Sequence, residues 1–455
     1  MPHSIPQEKH ILIIGAGLTG LILAQALRHL NHLHSTQPQP QPPKYTYTYT
    51  IYERDPYAFA RGAGWSLTIH WALTDLRNIL PPDILARFHE CLVNPGAADR
   101  GIAGNFQYLD LRTGRPKEKW AIPWGAASRV SREKLLALLM EGVDIQWNKH
   151  LTSITTTTNP TSTTTTSTIT AHFIDHTTAT GSLLIGCDGS RSTVRRHLTP
   201  TPTLALPSRL PIRLLGLRVP YPITKIAKCE ALDVHFFQGG DPLTNVYFWF
   251  SFIYLPRPED RYPEGKGETE AVCQMMMSWP FEKGGLRRGK NNVGEEEEEG
   301  EGMEAPGDNA GRLALMKELA NEWAEPMREM VMDLPDDTDV REIVLEDWVP
   351  GVGRWGNQGG RATLVGDAAH GMTMFRGEAA NHGVIDVSVL VKLLAESAKE
   401  GSELELEDVV NVYEKEMIQR TQPAVLKSRQ ACLDAHRFDR VDGSSPLISR
   451  RAMKD

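Results

Sequence analysis

Three clusters of residues have types and spacings that could do chemistry. The first is Gly15-Ala16-Gly17-Leu18-Thr19-Gly20, set between the apolar run Ile11-Leu12-Ile13-Ile14 and the apolar-rich segment Leu18 to Leu30. In such a loop the first glycine permits a tight turn, the second lets a pyrophosphate approach the backbone, and the third lets helix pack close on strand. The helix N-terminus adds partial positive charge. Glu53, closing the run Thr50-Ile51-Tyr52, has the carboxylate that would accept hydrogen bonds from a ribose. Its distance from the glycines exceeds the usual ~20 residues, and a Pro/Gln-rich insertion within 35–50 accounts for the surplus. Together these features read as a dinucleotide-binding loop. The other clusters are Gly186-Cys187-Asp188-Gly189-Ser190-Arg191-Ser192 and Gly366-Asp367-Ala368-Ala369-His370, each placing an aspartate where a short apolar run ends. Taken singly, Asp188 and Asp367 could equally be helix caps.

The elements that must position these residues follow from the pattern of apolar runs. Ile11 to Ile14, Leu183 to Ile185 and Ala362 to Val365 are short and wholly apolar or nearly so, as strands buried in a parallel sheet are. Ser131 to Met140 reads as a helix with Ser131 at its N-cap, and residues 311–331 as another. Between about 205 and 260 the chain changes character. Leu214 to Val219, Ala231 to Phe237 and Asn245 to Tyr254 read as longer strands without intervening helices, hence a mostly antiparallel sheet. Helices from Asn381 to about Asp434 close the chain. The fold class expected is therefore α/β: a Rossmann-like, discontinuous domain with an inserted, mostly antiparallel sheet and C-terminal helices. The boundaries expected are 1–204 and 341–395 for the discontinuous domain, 205–340 for the sheet domain and 396–455 for the helical end, with residues about 70–110 packing beside the sheet domain.

Composition sets limits on both readings. With 455 residues, 40% hydrophobic and 23% charged, the chain is long enough for two to four domains of ordinary globular character. The net charge of -8 is concentrated in the Gly/Glu run 284–310, which reads as a disordered loop, and no basic stripe argues for nucleic acid. The Thr-rich stretch 152–170 reads as an exposed hairpin with no core of its own. Five cysteines without a C-x-x-C pair suit reduced thiols, a cytoplasmic setting and no metal site. No apolar run reaches the ~20 residues of a membrane span.

In order, the glycine loop with Glu53, the segment Val130-Ser131-Arg132-Glu133-Lys134-Leu135, the Asp188-Gly189 segment and the Gly366-to-His370 segment running into Arg376-Gly377-Glu378-Ala379-Ala380-Asn381 resemble the motifs of the class A flavoprotein monooxygenases. The resemblance spans about residues 10 to 395. It implies FAD as cofactor, NAD(P)H as reductant and O₂ as co-substrate, with a small organic molecule hydroxylated or epoxidised. Residue by residue, it implies that Gly15, Gly17 and Gly20 hold the pyrophosphate and Glu53 the adenosine ribose. It further implies that Arg132 contacts the cofactor, that Asp367 meets the ribityl chain, and that Asp188 lies between flavin and NAD(P)H. Gly62-Ala63-Gly64 corresponds to the glycine-rich turn beside the ring, and Gly377, Ala380 and Asn381 approach the ring at a helix N-terminus. The pattern departs from the family at Gly371 and Met374, where prolines are usual, and at Ala379, where glycine is. Rival readings are a flavin oxidoreductase that inserts no oxygen and a redox-neutral flavoprotein.

The middle strands carry the substrate reading. His235 and Phe237 fall on one run, Tyr247, Trp249 and Ser251 on another, with Phe248, Phe250 and Phe252 on the opposite face. Periodicity does not decide which face meets the flavin. The aromatic content points to an apolar, aromatic or alkene-bearing substrate, with His235 and Tyr247 as acid/base candidates. The low-complexity insertions associate with secondary-metabolite enzymes.

Overall fold

The computed structural model describes residues 6–36, 42–62, 64–160, 165–265, 267–282 and 302–450. Its centre is a five-stranded sheet in the order Ala362–Leu364, Leu183–Gly186, Gln7–Ile14, Tyr45–Tyr52, Ile145–Gln146. All four pairings are parallel. Ile11, Leu12 and Ile13 are fully buried because helices cover both faces, which is why the run carries no polar residue. The helix Leu18–Thr36 returns the chain from the first strand to its neighbour Tyr45–Tyr52.

A second sheet of seven strands runs in the order Val340–Glu342, Ile212–Pro222, Glu270–Pro280, Tyr247–Tyr254, Phe236–Gly240, Asn105–Asp110, Pro116–Ala121. All its pairings are antiparallel except that of Phe236–Gly240 with Asn105–Asp110. Phe248, Phe250 and Phe252 are fully buried on one face, with Leu313, Met316 and Trp323 in the same core. Each such ring contributes about 2 kcal/mol by burial. That face is therefore core, and the opposite face is left for a cavity.

Several sequence expectations need correction. The sheet is not built from one insertion, since Asn105–Asp110 and Pro116–Ala121 join it from the N-terminal half. Of the stretch about 70–110 expected beside the sheet domain, Asn105–Asp110 joins the sheet and Val93 its core, while the short helices within 73–87 place Leu73, Leu76 and Ile84 in the parallel-sheet core. Ala231 and Leu232 are helical, ending Ile223–Leu232, because Ile223, Ile226 and Cys229 recur at the helical spacing that buries one side. The strand starts only at Phe236, so His235 lies in the connection before it. The helix expected over 311–331 is two, Asn309–Ala320 and Met327–Met332, with Pro326 at the start of the second. Within the Gly/Glu run, residues 283–301 lie outside the described residues. The rest is ordered: Glu304 pairs with Arg213 and Asp308 caps the helix Asn309–Ala320. The Thr-rich hairpin, Leu151–Pro160 with Thr165–Phe173, buries Ile169, Ala171 and Phe173 and so contributes to the core; its turn, 161–164, lies outside the described residues. Among the described residues no helix is long and apolar enough to cross a membrane.

Candidate active site

The glycine loop is fixed by close approach. A Cβ on Gly15, whose φ is +108°, would stand 2.5 Å from the Cys187 carbonyl oxygen, and one on Gly20 would stand 2.1 Å from the Gly15 oxygen. Gly17, by contrast, faces open space. Buried Glu53 ties the loop to the second strand: its Oε2 accepts from Ala16 N–H at 2.7 Å and its Oε1 from Asp55 N–H at 3.0 Å. Asp188 accepts from Ser192 Oγ, Thr193 N–H and Val194 N–H, so its carboxylate serves the start of the helix Thr193–Leu198. Burial pushes its carboxyl above the usual range against those hydrogen bonds.

Behind the Gly366–His370 segment lies a buried ionic cluster that sequence reading missed. Asp386 Oδ2 accepts from His370 Nε2 at 2.6 Å and from Gly366 N–H at 2.8 Å, and its Oδ1 accepts from Arg420 Nη2 at 2.7 Å. Burial alone would raise Asp386, but the charge and hydrogen bonds of His370 and Arg420 outweigh it and hold the carboxyl well below the carboxylate range. His382, also against Arg420, is pushed down to about 3, chiefly by burial. The cluster fixes the turn that aims Asp367. No signal in the sequence distinguishes Asp386 from the other polar residues of its helix.

A cavity of about 480 Å³ opens between the two sheets, within the range of small-molecule sites. One end is lined by Arg132, Asp367, Gly377, Glu378, Ala379 and Ala380. Arg132 and Asp367 make no side-chain hydrogen bond among the described residues but feel each other's charge; desolvation at this end of the cavity lowers the Arg132 pKa and raises that of Asp367, each against that attraction. Gly377, at φ +63°, faces open space and leads into the 19-residue helix Ala379–Ser397, whose first N–H groups lack intrahelical acceptors. The other end is the second, aromatic-rich face of the seven-stranded sheet: Phe236, Gln238, Tyr247, Trp249, Gln274 and Met276. Phe236 stacks on Trp249 at 4.8 Å and Phe106 on Trp120 at 4.9 Å, and the Tyr247 hydroxyl donates to Gln238 Oε1 at 2.7 Å.

The structure therefore brings together Arg132, Asp367, Gly377, Ala380 and Tyr247. It does not bring the remaining candidates onto the same wall. Gly15, Gly17, Gly20 and Glu53 form their own loop, and Gly64 stands beside Arg132, 3.2 Å from Nη1 for a notional Cβ; Ala63 lies outside the described residues. Asn381 is fully buried and its amide is spent on protein: Oδ1 accepts from His70 N–H, and Nδ2 donates to Thr68 O and Gly377 O. It ties strand Ser66–Ile69 to the helix start. His235 does not line the cavity. Burial and the Arg129 charge push it down to about 4. Of the departures from the family pattern, Met374 and Ala379 line the cavity, while Gly371 is buried and its carbonyl accepts from Trp348 N–H. Among the described residues no group of three or more His, Cys, Asp or Glu could hold a metal.

A glycine loop on a parallel sheet, and an Arg and Asp whose side chains line a cavity beside a helix N-terminus, are the apparatus of a flavin-binding α/β protein. HpxO of Klebsiella pneumoniae, in a crystal structure complexed with FAD and uric acid, has this mixed α/β fold: TM-score 0.64 at 17% identity, over 94% of this chain and 89% of that one. No protein-family model matches the chain. Relatives in sequence are nearer. A probable FAD-dependent monooxygenase of Arthroderma benhamiae is 43% identical, over 97% of this chain and 95% of the relative. The FAD-dependent monooxygenase tazP of Aspergillus terreus is 42% identical, over 88% and 93%. The chain belongs to the FAD-dependent monooxygenases.

Proposed function

We propose that the parallel sheet is the core of a discontinuous, Rossmann-like FAD domain, and that the cavity is where reduced flavin, O₂ and an aromatic substrate meet. The observation that carries this reading is a continuous cavity wall that passes from Arg132, Asp367 and Gly377 to Tyr247 and Trp249. The residues fit the cofactor: Gly17 leaves room for a pyrophosphate, Glu53 supplies a carboxylate at the loop, and the Arg132 and Asp367 side chains line the cavity with no hydrogen bond spent on the protein among the described residues. Bound FAD, reduced by NAD(P)H, supplies the oxygen-activating chemistry. The protein's part is placement and exclusion of water. Asp367 would accept from cofactor hydroxyls, Arg132 would meet a negative group, and the N–H groups at Ala379 and Ala380 favour negative charge on the ring. Asp188 and Asn381 act one step back, holding the segments that approach the cofactor.

Tyr247 is the polar group of the sheet best placed to touch substrate, oriented by Gln238. The flat stacked pairs favour an aromatic ring over an alkene chain. The protein is placed by this reading in cytoplasmic secondary-metabolite synthesis, in keeping with its fungal FAD-dependent monooxygenase relatives. The reading is tested with purified holoenzyme and NADPH, first anaerobically and then in air, across a panel of phenols and indoles. Bleaching of bound flavin accelerated by one compound, and a product heavier by one oxygen, is expected. A chain that takes up no FAD, or flavin that NADPH and NADH never bleach, overturns it.

A further inference from the structure

The turn that leads into the helix Ala379–Ser397 carries a charge pair across Gly377. Arg376 Nε donates to Glu378 Oε2 at 2.8 Å and Arg376 Nη2 to Glu378 Oε1 at 2.9 Å. The two residues are 9% and 7% exposed, and both line the cavity. The remaining guanidinium nitrogen, Nη1, donates to Pro446 O and, at 3.0 Å, to Ser449 Oγ. Those acceptors lie on the segment 442–449, which is seated by Leu447 and Ile448 in a core shared with Phe375 and Trp120, and by Ser445 Oγ donating to Asp434 Oδ2. A strap from the C-terminal part of the chain therefore holds the guanidinium on its carboxylate.

Glu378 stands at the N-cap of that helix, yet its carboxylate makes no cap hydrogen bond and turns to Arg376 instead. The N–H groups that follow it favour negative charge in the cavity, whereas an ionised carboxylate at the same place repels it. Like charges a few ångströms apart repel strongly where water is scarce. Arg376 cancels that repulsion, and its bidentate geometry leaves neither carboxylate oxygen unmet. The other two charged residues at this end, Arg132 and Asp367, also oppose each other in sign. The four together sum to zero, so the positive end of the helix is the field that remains.

We infer that Arg376 is a positioning residue that screens Glu378 from the flavin ring, so that negative charge can build up on the ring at the helix start. This rests on the proposed function and adds to it what sets the cofactor's potential. Reduction by a hydride brings two electrons and one proton, and so leaves the ring with one more negative charge than before. With the pair intact, that charge meets the helix start alone. With Glu378 unscreened, reduction becomes harder; with Arg376 unmatched, it becomes easier. Arg376 touches no reacting atom and acts through Glu378.

The test measures the midpoint potential of bound FAD in the full-length enzyme by equilibrium titration against a reference dye, at mildly alkaline pH, which favours an ionised Glu378. Arg376→Gln should move the potential to the negative side and Glu378→Gln to the positive side. Each shift should be on the order of tenfold in the reduction equilibrium, about 30 mV for a two-electron couple. The double variant should return towards the wild type, and Arg376→Lys should keep most of the wild-type value, a pattern of signs that a merely structural role would not give. Single variants that both shift the same way, or that leave the potential where it was with FAD still bound, overturn the inference. If Arg376→Gln fails to fold, Glu378→Gln decides alone, and the lack of a positive shift overturns it. A wild type that takes up no FAD would instead sink the proposed function.

Discussion

On the side of the parallel sheet, the candidate site is made mostly of backbone: two glycines that tolerate no Cβ, a turn pinned by Asp386, and a helix start with free N–H groups. On the side of the seven-stranded sheet it is made of side chains, projected from alternate positions of strands whose other face is solid core. The first construction allows few sequences, because sterics and hydrogen-bond geometry decide it. The second fixes only that a face exists and leaves its chemistry to vary. A cofactor common to a family and a substrate particular to each member would be served by this division.

The largest effect that would break the comparison lies behind the backbone-built side. Asp386→Asn leaves Arg420 and His370 without their shared carboxylate and should cost about 3–5 kcal/mol, read as a lowered denaturant midpoint together with loss of bound flavin. The sign with pH follows from the same carboxylate. Its folded pKa is depressed, so its contribution is present above the unfolded value and lost as pH falls through the acid range. The variant's stability should therefore vary less with acid than that of the wild type. Next comes Phe248→Ala, on the core face, which should lower stability by about 3–5 kcal/mol while leaving the ratio of affinities for two probe ligands unchanged. Trp249→Ala, one residue on, should show the reverse balance, with the ratio moved more than the melting curve. If both variants behave alike, the two faces are not the separate devices described above.

Gly15→Ala should cost about 1–3 kcal/mol through positive φ and the Cys187 contact, and lower flavin retained on gel filtration. Buried His436 sharpens the contrast from the other side. Its Nδ1–H donates to Cys432 O and its Nε2 accepts from Ser278 Oγ, and burial pushes its pKa to about 4. Because the folded pKa is depressed, stability should fall as pH drops from 6.5 to about 4, by roughly 3 kcal/mol at most, and His436→Gln should flatten that part of the thermal-stability profile. Smallest is Tyr247→Phe, which removes the hydroxyl on Gln238 and should cost about 1 kcal/mol, seen in substrate KM more than in flavin content.

How much was legible in the sequence follows the same division. The strand-glycine-helix order and Glu53 were readable because each is tied to a spacing that backbone geometry imposes, whereas Arg132 and Asp367 were reached only through the resemblance of their segments to a family's motifs. Period two placed Tyr247 and Trp249 together but could not orient the strand. The orientation was decided by Asn309–Ala320 and Trp323, which cover the phenylalanine face and are distant in sequence. His235 was misjudged because helix Ile223–Leu232 runs further than its β-prone residues suggested, ending the strand pattern early.

The order of strands in the parallel sheet has a consequence for the protein's synthesis. Gln7–Ile14 is central, but its second neighbour on one side, Ala362–Leu364, comes off the ribosome on the order of tens of seconds later. Leu364 is in turn fastened by Tyr413, whose hydroxyl donates to its carbonyl from the helix Leu406–Ala435. The nascent chain thus carries an incomplete sheet edge through most of translation, and the end of the cavity that holds Asp367 is among the last parts of the molecule to be assembled.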